Sequence, residues 1–166
     1  MDNAEIVDKL SGEKERKEEE TLQINQRKFV VFSVGEKRYA LPAEEVKEIS
    51  FDNQIYYVPF LPPYIRGYAN RHGAPFSVLD VQMLFENTLL ETRTLLILNI
   101  PNDQLALLIS DVEEIIKVPE TEIHSISSTD ESSKYFTESI TVKENETFIL
   151  NTATLLERLE HDIERI

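Results

Sequence analysis

The sequence predicts a mainly-β fold made from a duplicated unit, two small barrels of about five strands with one contributed by each copy. Three observations carry this expectation. From Phe29 onward, short runs rich in Val, Ile, Phe and Tyr alternate with turn residues, which is the punctuation of strands. Shifted by 66 positions, VVFSVGEKRYALPAEEVKEI (30–49) falls without a gap on LILNIPNDQLALLISDVEEI (96–115), with Ala40/Ala106, Leu41/Leu107, Val46/Val112, Glu48/Glu114 and Ile49/Ile115 identical. Shifted by 71, GYANRHGAPFSVLDVQMLFE (67–86) falls on ESITVKENETFILNTATLLE (138–157), so that Val78-Leu79-Asp80 meets Ile149-Leu150-Asn151. Closing each copy into a barrel would leave no exposed sheet edge.

Taken in order, residues 1–27 are mostly charged, with Glu13 to Glu20 an unbroken charge run and Ile6, Leu10, Leu22 and Ile24 scattered around it. So little apolar surface does not offset the entropy of ordering, and a flexible extension or frayed helix is expected. FVVFSV (29–34) reads as a strand, Gly35-Glu36-Lys37 as a turn and RYAL (38–41) as a second strand. Pro42 then opens a short helical turn with Glu44 and Glu45 near its start and Val46 and Ile49 on one face. A bend at Pro59, Pro62 and Pro63 leads into the hairpin YIRGYANRHGAPFSVLD (64–80). Gly67 and Gly73 are two of only four glycines, so each is expected to meet a demand for positive φ or close approach.

Asp80 and Asn151 are good helix N-caps. In the second copy Pro101-Asn102-Asp103 replaces the first turn, and Ser110 with Glu113 forms a capping-box pattern for a second helical turn. Ser125 to Lys134 (SISSTDESSK) reads as a polar, flexible loop, and Leu155, Leu156, Leu159 and Ile163 share one face of a final helix. The expected units are therefore the extension, a first β-subdomain at about 30–86, a second at about 93–151, and a C-terminal helix at about 152–164.

Composition excludes several function classes. The chain of 166 residues has a formal charge of −14, of which residues 1–28 carry only −2, so the folded body is strongly acidic. Nucleic acid and anionic membrane both demand a basic footprint. Without cysteine there is neither disulfide nor thiolate chemistry. The longest apolar runs, around Leu95–Ile100 and Leu105–Ile109, are strand-length, and the N-terminus has no apolar signal core. A soluble cytoplasmic protein is expected.

No constellation points to catalysis. His72, His124 and His161 stand far apart, and no metalloprotease, nucleophile-elbow, phosphate-loop or dinucleotide motif occurs. The acidic pairs Glu44/Glu45 and Glu113/Glu114 read as solvated charge on surface turns. A non-enzyme without cofactor or metal is expected, with a small β-barrel enzyme as the rival of another class. Glu48 and Glu114 are different, because each sits in Val-x-Glu-Ile at the same place in both copies. A helical turn buries the Val and Ile but leaves the carboxylate outward, a hint of an interface. Arg66, Arg71 and His72 form the densest cationic cluster of the folded part, a candidate docking point beside a tight turn.

The order F-x-V-G-x-x-x-Y-A-L-x-x-x-x-V-x-E-I, then P-x-x-P-P-Y-I-R-G-x-x-N-x-x-G-x-x-x-x-V-L-D, then the repeat, resembles the CheW family over about residues 28 to 164. The resemblance implies two intertwined five-stranded, SH3-like β-barrel subdomains with short helices and a C-terminal helix. It implies a non-catalytic adaptor linking the cytoplasmic tips of chemoreceptors to the regulatory domain of the histidine kinase CheA, in membrane-attached arrays that include rings with other copies. The kinase domain would be held through subdomain ends and the receptor's helical hairpin in an apolar groove between subdomains. The family's functional Val and Glu fall on Val46 and Glu48, its basic-Gly step on Arg66 and Gly67, and its turn on Asn70 and Gly73. With Ile49, Arg71, His72 and the second copy's Ala106, Val112 and Ile115, these form the candidate kinase- and receptor-binding set.

This sequence departs from the family pattern at three places. The family usually reads Asn-Leu-Arg-Gly where this chain has Asn70-Arg71-His72-Gly73, so a permanently charged bidentate donor is exchanged for a titratable imidazole. Either Arg71 substitutes by local rearrangement, or the protein is a specialised or decoupled paralogue serving another kinase pathway or capping arrays. Ala106 stands where members often carry Gly, and the N-terminal extension is longer than a minimal member needs.

Overall fold

The structure, a computed structural model, describes residues 3–127 and 129–164. A helix α1 (Asn3–Ile24), with every described side chain of residues 3–16 exposed, precedes the strands. The first copy supplies β1 (Gln26–Val34), β2 (Lys37–Pro42), β3 (Val46–Ser50), β4 (Ile65–Arg71), β5 (Ala74–Leu79) and α2 (Val81–Glu86). The second supplies β6 (Thr94–Leu98), β7 (Leu105–Ile109), β8 (Asp111–Pro119), β9 (His124–Ser125), β10 (Phe136–Val142), β11 (Asn145–Leu150) and α3 (Thr152–Glu164). The fold is mainly β, as expected. In the stretch read as a polar loop, Ser125 ends β9 and Lys134 lies in a 3-10 turn, while residue 128 falls outside the described residues.

Neither copy closes a sheet on its own, which corrects the expectation of one barrel per repeat. Among the described residues, one sheet has the order β8-β1-β2-β11-β10-β9 and the other β3-β6-β7-β5-β4. The strand β8 leaves its own copy to pair with β1, and β3 leaves its own to pair with β6. Each hairpin, β4–β5 and β10–β11, adds in parallel to the second strand of the other copy. The cause is local. A reversal needs at least a two-residue loop, whereas Ser110 alone separates β7 from β8. The chain therefore bends and runs on to the opposite sheet.

Two helical turns expected from the sequence are strand instead. After Pro42 a 3-10 turn lasts only from Ala43 to Glu45, and Val46–Ser50 is extended. Asp111–Pro119 is wholly strand, its β-branched residues paired along β1. Ser110 does not cap a helix; its hydroxyl accepts the Gly35 N–H at 2.8 Å. The duplication nonetheless reaches fine detail. Lys47 in β3 and Glu113 in β8, 66 residues apart, are each the extra residue of a β-bulge. Bulges at Ile65/Gly67 and Phe136/Glu138 repeat with the spacing of 71.

Because β1 is covered on both sides, its residues alternate between two cores. Phe32 and Val34 join the main cluster with Leu41, Val78, Leu95–Leu98 and Leu105–Ile109, while Phe29 and Val31 join a smaller one with Ala40, Val118, Ile140 and Ile149. Leu155 and Leu159 seat α3 on the main cluster. Asp80 caps α2 by accepting the Met83 N–H at 2.9 Å, and Asn151 accepts the Thr154 N–H at 3.3 Å at the start of α3. Asp80 does more: fully buried, it also accepts the Leu90 N–H at 2.9 Å and Arg66 Nη1 at 3.0 Å.

Two tyrosines 71 residues apart hold the far end of α3. Tyr64 Oη donates to Asp162 Oδ2 at 2.6 Å, and Arg158 donates from Nη1 to Tyr135 Oη at 3.2 Å and from Nε to Asp162 Oδ2 at 2.7 Å. Burial pushes the Asp162 carboxyl up, but the hydrogen bonds from Tyr64 and Arg158 outweigh it and hold the group at about 2. A folded value below the unfolded one stabilises the protein fully above about pH 4, and that contribution is lost as pH falls toward about 2.

Two outcomes follow for denaturant melts. Asp162→Asn should cost on the order of 2 kcal/mol at neutral pH and flatten the stability profile between about pH 4 and pH 2. Asp80→Ala, which leaves two N–H groups without their acceptor and Arg66 without its counter-ion, should cost about 3 kcal/mol against about 1 kcal/mol for Asn151→Ala at the matched cap. Equal losses at the two caps would contradict the special burden placed on Asp80.

Candidate functional site

The five-stranded sheet begins with β3 and ends with β4, and it curls until side chains on these two edges meet. Glu48 Oε1 accepts Arg71 Nε at 3.2 Å and Arg71 Nη2 at 3.1 Å, while His72 Nε2 stands 3.7 Å from the same oxygen. Glu48 and Arg71 are each about one-third exposed, so the pair is half-screened by solvent. The bulge at Lys47 sets the direction in which Glu48 projects. Arg71 and Ala74 are the last pair of the hairpin, which makes His72-Gly73 a two-residue turn with φ of 51° and 79°. Such a turn needs the left-handed conformation twice, which glycine accepts freely and histidine more readily than most residues. His72 is thereby presented outward, three-quarters exposed.

The cationic cluster read from the sequence is thus divided. Arg66 does not join Arg71 and His72; its Nη1 is turned inward to Asp80 and to the Leu90 carbonyl at 2.9 Å. Gly67 is likewise internal. At φ of 130°, a Cβ placed there would fall 2.0 Å from the Tyr56 carbonyl oxygen, because Tyr56 and Tyr68 exchange backbone hydrogen bonds across this point at 2.8 and 3.0 Å. Gly73, by contrast, has open space around it.

The other candidates are scattered. Asn70 is exposed opposite Pro75, and Val46, Ile49 and Val112 pack half-buried against the main core. Ala106 is fully buried in the central strand β7 and offers no surface to a partner. Ile115 is 58% exposed on the edge strand β8. The carboxylate of Glu114, the repeat-mate of Glu48, has no hydrogen-bond or ion-pair partner among the described residues, and Val142 occupies the position matching Arg71. The acidic pairs are not simply solvated turns. Glu113 lies in β8 and pairs with Arg38, and Glu45 accepts Thr152 Oγ1 at 3.1 Å, its carboxyl raised by burial against the opposing effect of that bond.

A second feature escaped the sequence reading. A groove of about 660 Å³ runs between α3 and the second sheet, lined by Leu156 and Ile163 on one side and Phe76, Leu98 and Ile100 on the other, with Lys47 at its rim. The helical spacing of Leu156, Leu159 and Ile163 signalled one wall, but the opposite wall comes from strands remote in sequence. Among the described residues, no three His, Asp or Glu side chains gather in a way that could hold a metal ion.

A family model described as the CheW-like domain matches residues 28–160. The chain is 30% identical over 124 residues to the chemotaxis protein CheW of Helicobacter pylori, covering 72% of this chain and 71% of that protein. It is 29% identical over 101 residues to the chemotaxis protein CheW of Bacillus subtilis, covering 59% and 65%. Among solved structures, the scaffolding protein TtCheW from Thermoanaerobacter tengcongensis shares the fold with a TM-score of 0.64 at 24% identity, over 75% of this chain and 88% of that one.

The two hairpin glycines should respond differently to alanine. Gly67→Ala must displace backbone and should destabilise by well over about 1 kcal/mol, or prevent folding, whereas Gly73→Ala meets only the left-handed penalty of about 1–2 kcal/mol. Thermal melts of the two variants check the order.

Proposed function

The chain belongs to the family of CheW-like domains, and on that premise we propose that it is a non-catalytic adaptor coupling chemoreceptor cytoplasmic tips to the regulatory domain of the histidine kinase CheA. The Glu48–Arg71 pair carries this reading. The carboxylate of Val-x-Glu-Ile and the cation of the Asn-x-x-Gly hairpin are the groups that the family resemblance marks as functional, and here they touch. The cation sits one position earlier than usual, on Arg71, whose planar fork reaches Glu48 from the last residue of β4. In this reading the end of the second sheet holds the kinase domain, with His72 at the rim.

The groove beside α3 suits the receptor. Leu156, Ile163, Phe76, Leu98 and Ile100 line it among polar side chains such as Asn99, Asp103 and Glu160, a mixed surface that suits an amphipathic helix laid lengthwise, and receptor tips present helices. Among the described residues no helix is long and apolar enough to cross a membrane, so the receptor would supply the attachment and the adaptor would work from the cytoplasm. Further copies of the chain in the same rings would use the same sheet ends.

Co-sedimentation with receptor and kinase, followed by a phosphorylation assay, tests the proposal. Arg71→Ala should weaken kinase-domain binding by about tenfold, the size of one partly screened charge-assisted contact, while His72→Arg should change it by less than about twofold. A strong gain from His72→Arg with no loss from Arg71→Ala would favour the decoupled paralogue. Absence of the chain from the receptor–kinase pellet would sink the adaptor reading altogether.

A further inference from the structure

We infer that the connection 51–64, between β3 and β4, is a docking surface for a cationic amphipathic segment of a partner protein. It goes beyond the two surfaces above, because it flanks β4 from the start of that strand to the Tyr56–Tyr68 bridge and stops four residues, ~13 Å of strand, short of His72. Within this one connection Phe51 is 66% exposed, Tyr57 78% and Phe60 88%, and Tyr56 stacks on Tyr68 with ring centroids 5.1 Å apart. Isolated exposed apolar side chains are ordinary; several large rings in one short segment are not.

The segment is also built to hold its shape. At its start, Asn53 donates from its backbone N–H and from Nδ2 to the Arg93 carbonyl at 3.1 and 2.9 Å, and its Oδ1 accepts Ser50 Oγ at 2.7 Å. In the middle, the Tyr56–Tyr68 bridge over Gly67 ties it to β4. At its end, the Ile65 N–H donates to the Pro62 carbonyl at 2.9 Å, and Leu61 packs on the main core. Between these anchors Phe60 stands at φ of 67°, a left-handed conformation that a bulky side chain adopts only at a cost. The cost is met without burying the ring, so no internal packing accounts for it. Rigid, pre-positioned aromatics of this kind are the usual anchors of protein interfaces.

Charge selects the occupant. The connection holds a single charged residue, Asp52, which lies 4.0 Å from the exposed Arg93 beside it, and no cation of its own, so the attraction comes from the body, which carries −12 outside residues 1–28. A second copy would bring −14 against −14. Lys or Arg side chains on a partner meet both the field of the body and the electron-rich faces of the rings, while apolar residues between them cover the aromatic surface.

The test uses the full chain and a fluorescent amphipathic helical peptide of Leu and Lys, read by anisotropy at low and high salt. A peptide with every Leu replaced by Ser reports charge alone. The chain should bind the Leu/Lys peptide, and the Tyr57→Ser/Phe60→Gly double variant should bind about tenfold or more weakly at both salts. Phe60→Gly should melt at or above the wild-type temperature, since it relieves the left-handed strain, and Tyr57→Ser keeps the test open should it melt lower. Equal binding by wild type and double variant, or equal binding of the Leu-free peptide, overturns the inference. So does a concentration-dependent dimer in sedimentation that the double variant abolishes, which would assign the surface to a second copy.

Discussion

A one-residue link decides how this chain folds. Ser110 leaves no room for β7 and β8 to pair as a hairpin, and the short 3-10 turn after Pro42 likewise redirects β3 instead of reversing it. Each of these strands must find its partner in the other copy. Both sheets therefore contain strands from both halves, and the pairings that complete them are long-range, such as β1 with β8. Neither half has the hydrogen-bond partners to stand alone, since an unpaired strand would leave its backbone groups unsatisfied. The paired bulges at Lys47 and Glu113 belong to the same device, bending each exchanged strand as it joins its new sheet.

On this symmetric backbone the charges are not symmetric. Arg66 and Asp80 form an inward ion pair in the first copy, where the second has Thr137 and Asn151. Arg71 reaches Glu48, where the second copy has Val142 and an unpartnered Glu114 among the described residues. The first pair has a simple logic, because a fully buried carboxylate is tolerated only with a cation and hydrogen-bond donors around it, and exchanging both partners for neutral groups removes the cost and the gain together. The two hairpin turns keep the same backbone, with Lys143 and Glu144 also at positive φ, but among the described residues only the first hairpin brings a cation, Arg71, into an ion pair with its repeat's Val-x-Glu-Ile carboxylate. The duplication thus supplies two similar ends and the side chains make them different, which suits the adaptor role proposed above.

The division of Arg66, Arg71 and His72 shows why residue clusters in sequence mislead about sites. On a strand, successive side chains point to opposite faces, and a bulge between Ile65 and Gly67 shifts that phase once more. Arg66 consequently faces the core edge at Asp80 while Arg71 lies along the sheet end. Whether Arg71 could take the place of the customary cation was open from sequence; what puts it within reach of Glu48 is its place as the last paired residue of the hairpin, beside an edge strand that the curl of the sheet brings close.

By itself the sequence determined the duplication, the mainly-β character, the hairpin at Tyr64–Asp80, the caps at Asp80 and Asn151, and the apolar face of α3, because each is written in the period and turn chemistry of a short window. The Val-x-Glu-Ile segments were misread as helical turns for the same reason in reverse: four residues carry both periods, and only pairing with β6 and β1 makes them strands. The tertiary structure alone decided the exchange of β3 and β8, the inward turn of Arg66, the groove between α3 and the second sheet, and the contact of Glu48 with Arg71 across two sheet edges. These depend on which strands become neighbours, and that is set by link lengths and long-range pairing that no local window contains.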